Sequence, residues 1–338
     1  MNLGPLSAQS IVVFATMFAL LIVATVWRFL LASYASDEQR RQRQSSLRTW
    51  WLLFVLFLVS LSLGRLGVCL LSGIAGVVAF REYSRMVAQS ASRKLDQAAV
   101  QFLLFAGMLA VLGGQEQLFR WGFPLIALAT CAMISLFQGL TAGYVRITGG
   151  SYFGLMVFGY AFAHAPLLLL HPGNPTVQQG IESFLFLVIT TQVSDISQAI
   201  LGRRFGGHGR HPITPRISPR KTWEGFVGGL VTTTVFAGIL GQYLAPIAGK
   251  PPMAIAMIAV PGWLQAAAAG LVICVSGFVG DINMSAVKRD AGIKDSSGLL
   301  PGMGGMIDRI DSLTFAAPAY YYYLVGLGAI GDWVSRGG

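Results

Sequence analysis

Apolar residues run along this chain in blocks of roughly 15 to 25, parted by short polar segments, and within a block they are continuous rather than alternating. Such blocks predict membrane-crossing helices, because in lipid only a helix or a closed barrel satisfies its own backbone, and the lack of alternation argues against a barrel. The expected spans are 10–32, 99–112, 123–140, 152–170, 183–201, 226–244, 253–279 and 313–330. The run 50–80 is too long for one ordinary span and is interrupted at Gly64, Arg65 and Gly67, so it predicts two short helices in a hairpin. The fold class is therefore an all-α polytopic integral membrane protein of about ten transmembrane helices, within a range of about eight to ten.

Composition supports this reading. Of 338 residues, 54% are hydrophobic and 11% charged, and mean hydropathy is +0.63. A formal charge of +10 could suggest nucleic acid, but the cations are scattered over several inter-span segments with no soluble domain to carry a groove. They set topology instead. Arg40, Arg41, Arg43 and Arg48, then Arg81, Arg85, Arg93 and Lys94, then Arg146, then the acid-free segment 202–222, and finally Lys288, Arg289, Lys294 and Arg309 all fall on one side if both termini lie outside. By the positive-inside rule that side is the cytoplasm, which places the chain in the inner or plasma membrane. The first run is longer than a signal peptide's core and is read as a retained helix. Cys69, Cys131 and Cys274 lie in apolar runs and are read as small buried hydrophobes. Tyr320 to Tyr323 fit either an interfacial belt or ordinary helix packing.

Three pieces are polar where their neighbours are not. Thr191, Asp195 and Gln198 are spaced i, i+4, i+7 and share a helical face, near Gln192 and Ser194. A carboxylate in a span marks a functional position, although an interhelical hydrogen bond near the interface is the alternative. In Pro215 to Gly225, Ser218, Arg220, Lys221 and Thr222 set hydroxyls and cations just before a helix start, where free N–H groups also favour phosphate. A topological anchor would explain the charges but not Ser218, Thr222 and Glu224. His208 and His211 could ligate a metal, but in a Gly- and Arg-rich loop a solvated pair is favoured.

The richest piece, Asp281 to Asp311, holds five aspartates, four basic residues and a Pro-Gly-Met-Gly-Gly turn. Asp281, Ser285 and Lys288 would project from one helical face, and Asp308 and Asp311 would converge at i, i+3. Carboxylates without Cys or a ligand-like His suit a hard cation such as Mg²⁺ with phosphate co-ligands. Lys288, Arg289, Lys294 and Arg309 could offset polyphosphate charge, and the glycine turn would let backbone approach a ligand. Mutual pairing in a solvated loop is the alternative.

In this spacing Ser285, Lys288, Arg289, Lys294, Asp295, Gly298, Pro301, Gly304, Gly305, Asp308, Arg309 and Asp311 resemble the C-terminal signature of the phosphatidate cytidylyltransferase (CDP-diacylglycerol synthase) family. SDISQAILGRRFGGH from Ser194 and ISPRKTWEG from Ile217 are similar to two upstream blocks of that family, in the same order, so the resemblance covers 190–314. Met303 stands where the family pattern has histidine.

The resemblance implies an enzyme joining CTP to phosphatidate, giving CDP-diacylglycerol and pyrophosphate, with the lipid phosphate attacking the α-phosphorus. It implies catalytic roles for Asp281, Lys288, Arg289, Lys294, Asp295, Asp308, Arg309 and Asp311. Substrate contacts would come from Asp195, Ser218, Arg220, Lys221, Thr222, Glu224, Ser285, Gly304 and Gly305. Mg²⁺ would be held by Asp281 and Asp308, supported by Asp311 and Asp195, with a second cation such as K⁺ allowed. Partners would be CTP, a lipid phosphate and the bilayer, with a homodimer allowed and nucleic acid excluded. Residues 1–180 would supply N-terminal spans and 181–338 the catalytic region, its signature at 285–311, facing the cytoplasm. Other classes are a divergent paralogue acting on another lipid phosphate, a CTP-dependent lipid kinase and a transporter, though a transporter leaves the signature's spacing without a reason.

Overall fold

The computed structural model describes residues 6–30, 37–87, 94–171, 174, 176–207, 211–244, 253–255 and 258–335. The helices are α1 (Ala8–Leu30), α2 (Asp37–Ser62), α3 (Gly64–Val87), α4 (Lys94–Leu112), α5 (Phe123–Phe137), α6 (Tyr144–Leu155), α7 (Phe162–Leu167), α8 (Val177–Phe205), α9 (Trp223–Tyr243), α10 (Gly262–Asp290) and α11 (Ile307–Ser335). Wider π-helical turns, Leu118–Gly122 and Met156–Ala161, lead into α5 and join α6 to α7. Seven helical segments among the described residues are long and apolar enough to cross a membrane: α1, α2, α3, Leu118–Phe137, α8, α9 and α10. A shorter apolar helix runs from Val100 to Leu112. The protein is a polytopic helical membrane protein.

The interruption in the run 50–80 falls at Gly64, whose φ of +63° is a conformation that other residues rarely adopt, and α2 packs against α3 as the expected hairpin. Two expected boundaries move. The run 152–170 is helical from Tyr144 and its α-helix ends at Leu167. The run 253–279 is not one helix: Met253–Ile255 and Ile258–Val260 pair as antiparallel strands, and α10 starts only after Pro261. That helix then continues beyond the apolar run to Asp290, which is what carries Asp281, Ser285 and Lys288. A second antiparallel pair, β1 (Pro212–Thr214) with β2 (Ser218–Thr222), precedes α9.

One hydrophobic core joins the chain from Phe14 on α1 to Leu324 on α11, so the N- and C-terminal parts share an interior. Tyr320 and Tyr321 are fully buried and Tyr320 stacks on Phe186 at 5.5 Å between ring centroids, which makes these two packing residues rather than a belt. All three cysteines are buried and none is in a disulfide. Large apolar side chains such as Leu20, Val23, Leu125 and Val235 point outward, as lipid contact requires.

The helices around the polar centre pack closely: α9 lies against both α8 and α10, and α10 against α11. Small residues permit this approach. A β-carbon at Gly225 would stand 2.8 Å from the Gln198 carbonyl oxygen and 2.9 Å from Gly202 Cα, so only glycine lets α9 lie this near α8.

Candidate active site

Thr222 ends β2 and caps α9, its hydroxyl accepting the Gly225 N–H at 3.2 Å. The Trp223 N–H bonds the His211 carbonyl at 3.1 Å, and His211 Nδ1 pairs with Glu224 Oε1. This pinning fixes Lys221, one residue before the cap, over the Phe278 ring at 5.5 Å. His208 lies outside the described residues.

Lys221 Nζ forms an ion pair with Asp281 Oδ2 of α10 and lies within electrostatic reach of Asp195 on α8 and Asp311 on α11. Burial alone would lower the pKa of this ammonium. The attraction of Asp281, reinforced by Asp195 and Asp311, wins and holds it above the ordinary lysine value, so Lys221 stays charged. Asp195 Oδ1 accepts the Ser312 hydroxyl at 3.0 Å, and Asp311 Oδ1 accepts the Ser312 N–H at 2.8 Å. Three aspartates from three helices thus face one lysine.

A second ion pair lies further along α10, where Lys288 Nζ is 2.6 Å from Asp308 Oδ1, the two side chains being only 12% and 11% exposed. Ser285 Oγ, on the same face, donates to Asp281 Oδ1 at 3.4 Å. The other Asp308 oxygen, Oδ2, accepts the Gly305 N–H at 3.0 Å, the Ser296 N–H at 3.2 Å and the Ser296 hydroxyl at 2.9 Å. Burial pushes the Asp308 carboxyl up, but the Lys288 hydrogen bond, the Gly305 N–H and the Ser296 hydroxyl together hold it below the usual aspartate value.

Glycine is required in this turn for lack of room. At Gly304, φ is +84° and a β-carbon would stand 2.7 Å from Asp308 Oδ2; at Gly305 it would collide with Ser296 Oγ and Glu82. The turn is also latched from α2, where Ser46 Oγ donates to the Gly302 carbonyl at 2.9 Å and Thr49 Oγ1 to the Pro301 carbonyl at 3.0 Å. Met303 is half-buried within it, its N–H bonded to the Leu300 carbonyl at 2.9 Å.

Of the remaining expected residues, Arg309 lies within electrostatic reach of Asp195 and its buried Nε has no hydrogen-bond partner among the described residues. Arg289 donates to the Ile217 carbonyl at 3.2 Å and the Ile293 carbonyl at 3.0 Å, tying α10 to the β1–β2 turn. Arg220, Lys294 and Asp295 are exposed and Ser218 is half-buried. Of the face shared by Thr191, Asp195 and Gln198, Asp195 bonds Ser312 of α11, Thr191 bonds the Leu187 carbonyl and Gln198 bonds Ser194.

Asp281 and Asp308, expected together at one cation, sit in separate ion pairs. Among the described residues no three His, Cys, Asp or Glu side chains are set as a ligand group. Asp195, Asp281 and Asp311 offer only oxygen, the donor type a hard cation takes, and all three act on the Lys221 ammonium.

Sequence reasoning missed Glu82, on α3 and only 4% exposed. It accepts hydrogen bonds from Ser296, Ser297, Met306 and Ile307, more than 200 residues away in sequence. The serines and Ser312 were missed as well. No local pattern marks such long-range partners.

Similarity to known proteins follows the same lines. Residues 41–327 match the Cytidylyltransferase family. The chain is 33% identical over 310 residues to the uncharacterized protein YnbB of Escherichia coli, covering 92% of this chain and 96% of that one. It is 31% identical over 277 residues to a phosphatidate cytidylyltransferase of Brucella abortus, covering 81% and 87%. To the phosphatidate cytidylyltransferase of Haemophilus influenzae it is 36% identical over 148 residues, 43% of this chain and 47% of that protein. With the match spanning most of its helices and the whole polar centre, this chain belongs to the cytidylyltransferase family.

Proposed function

We propose that the protein transfers the cytidylyl group of CTP to phosphatidate, giving CDP-diacylglycerol and pyrophosphate for phospholipid synthesis. The observation that carries this reading is the gathering of Asp195, Asp281 and Asp311 around Lys221, with Lys288 and Asp308 beside them, inside a helical membrane protein of the cytidylyltransferase family. In the reaction an oxygen of the lipid phosphomonoester forms a bond to the α-phosphorus, and the bond from that phosphorus to the α,β-bridging oxygen breaks, releasing pyrophosphate. The attacking phosphate is already an anion, so no covalent nucleophile of the protein is needed.

The protein's part is then positioning and charge compensation. Lys221, Lys288 and Arg309 face the phosphates, with Arg220, Arg289 and Lys294 at the rim. Asp281, with Asp311 and Asp195, would hold Mg²⁺, which when bound offsets the charge of the polyphosphate. Asp308 has both oxygens engaged and serves the same end by orienting Lys288. The site would open to the cytoplasm, where CTP is found, while the acceptor stays in the bilayer, in keeping with the positive-inside rule.

A second reading rests on Met303. A thioether neither transfers a proton nor carries charge, so an acceptor other than phosphatidate, still a lipid phosphate, is the alternative at the same site. Purified protein with CTP, Mg²⁺ and a panel of lipid phosphates, read by pyrophosphate release, tests both. Release with phosphatidate upholds the first reading, release only with another acceptor the second, and none with any acceptor removes both.

A further inference from the structure

Glu82 is a buried carboxylate from the N-terminal half of the chain whose hydrogen-bond partners, among the described residues, lie in the signature turn and include none of the signature's charged residues. Its Oε1 accepts the Ser297 hydroxyl at 2.6 Å and the Met306 N–H at 3.0 Å; its Oε2 accepts the Ser296 hydroxyl at 3.1 Å and the Ile307 N–H at 3.0 Å. Two of these donors are backbone groups at the start of α11 that have no partner within the helix, so Glu82 caps α11 from α3 and sets a negative charge at its positive end. The Ser296 hydroxyl, with a single proton, lies between Glu82 Oε2 and Asp308 Oδ2 and links the two carboxylates.

We propose that Glu82 is a positioning residue for the transfer: from α3 it fixes the turn 296–307, and through that turn the Asp308 carboxylate that orients Lys288. α11 carries both Asp308 and Asp311 in its first two turns, so a shift of its N-terminus displaces members of both ion-pair groups. A displacement of about 1 Å in such an arrangement is enough to cost a large factor in rate. Glutamate serves best here. Glutamine keeps one acceptor oxygen and turns its NH₂ group toward the backbone N–H of Met306 or Ile307, which cannot accept, and aspartate is one methylene short.

The turnover part of this inference rests on the proposed transfer; the geometric part does not. Glu82→Gln and Glu82→Asp are compared with the wild type in lipid nanodiscs by backbone hydrogen exchange across 296–308, by thermal melting and by transfer kinetics. The decisive amides are Ser296 and Gly305, which bond Asp308 and not Glu82. For Glu82→Gln the expectation is at least about tenfold faster exchange at these two amides and a kcat at least about tenfold lower. KM for the lipid should move less than about threefold, with melting retained and Glu82→Asp intermediate. Unchanged exchange at Ser296 and Gly305 overturns the proposal, as does a rise in KM with kcat intact, or a rate loss that only follows the unfolded fraction. A wild type without transfer activity removes the function reading, whereas faster exchange in the variant would still uphold the positioning role.

Discussion

Lys221 Nζ and Asp281 Oδ2 form an ion pair that fastens the strand before α9 to the second half of α10, and Asp195 and Asp311 face the same ammonium from α8 and α11. One cation therefore holds three carboxylates together. Lys221→Met leaves them repelling one another. Losing one partner of a buried pair costs about 3–5 kcal/mol; discounted for the 22% exposure of both side chains, a loss of about 1–3 kcal/mol in detergent unfolding is expected. Mg²⁺ should raise the melting midpoint of this variant more than that of the wild type, by binding the vacated carboxylates.

Asp308→Asn keeps the size of the side chain and an acceptor for Gly305 and Ser296, but removes the charge that orients Lys288. The variant should fold but melt below the wild type at neutral pH, since a buried lysine loses its partner, while transfer falls by about a hundredfold or more, well beyond the unfolded fraction. Near-normal turnover would show that the Lys288–Asp308 pair is structural only.

The two ion pairs bound stability on opposite sides of neutrality. The folded-state pKa of Lys221 is raised, so its contribution is complete below the ordinary value of 10.5 and is lost as pH rises through the higher folded value. That of Asp308 is lowered, so its contribution is complete above the ordinary value of 3.8 and is lost as pH falls through the lower folded value. Melting temperature against pH should show Lys221→Met losing mainly the alkaline limb and Asp308→Asn mainly the acid limb.

Gly225→Ala places a methyl against the backbone of Gln198 and Gly202. Separating α8 from α9 should cost about 1–3 kcal/mol, read as a lower unfolding midpoint. It should also slow transfer, because Asp195 and Lys221 ride on the elements that part.

Met303→His restores a group that can carry a proton in the half-buried turn. Higher activity on phosphatidate is expected. An unchanged or lower rate would count against Met303 as a simple loss and favour a different acceptor.

The helices were legible because each long apolar run has one stable solution in lipid, and Gly64 announced the α2–α3 break. The strand pair Met253–Ile255 and Ile258–Val260 was not, since its strands of three residues are as apolar as the helix that follows. Within the site, spacing alone placed Asp281, Ser285 and Lys288 on one face, and the signature pointed to Asp308 and Asp311. The pairing of Lys221 with Asp281 and the reach of Glu82 to Ile307 were hidden, because both depend on how distant helices pack.

On the proposed function, this polar centre moves a cytidylyl group onto a membrane-borne phosphate. The most direct test of that function supplies the purified protein, in nanodiscs with phosphatidate and Mg²⁺, with CTP labelled in the base or in the γ-phosphate. Base label is expected in the lipid and γ label in released pyrophosphate, both abolished in Asp281→Asn. Transfer of γ label to the lipid, with the base left in solution, would contradict the proposed function.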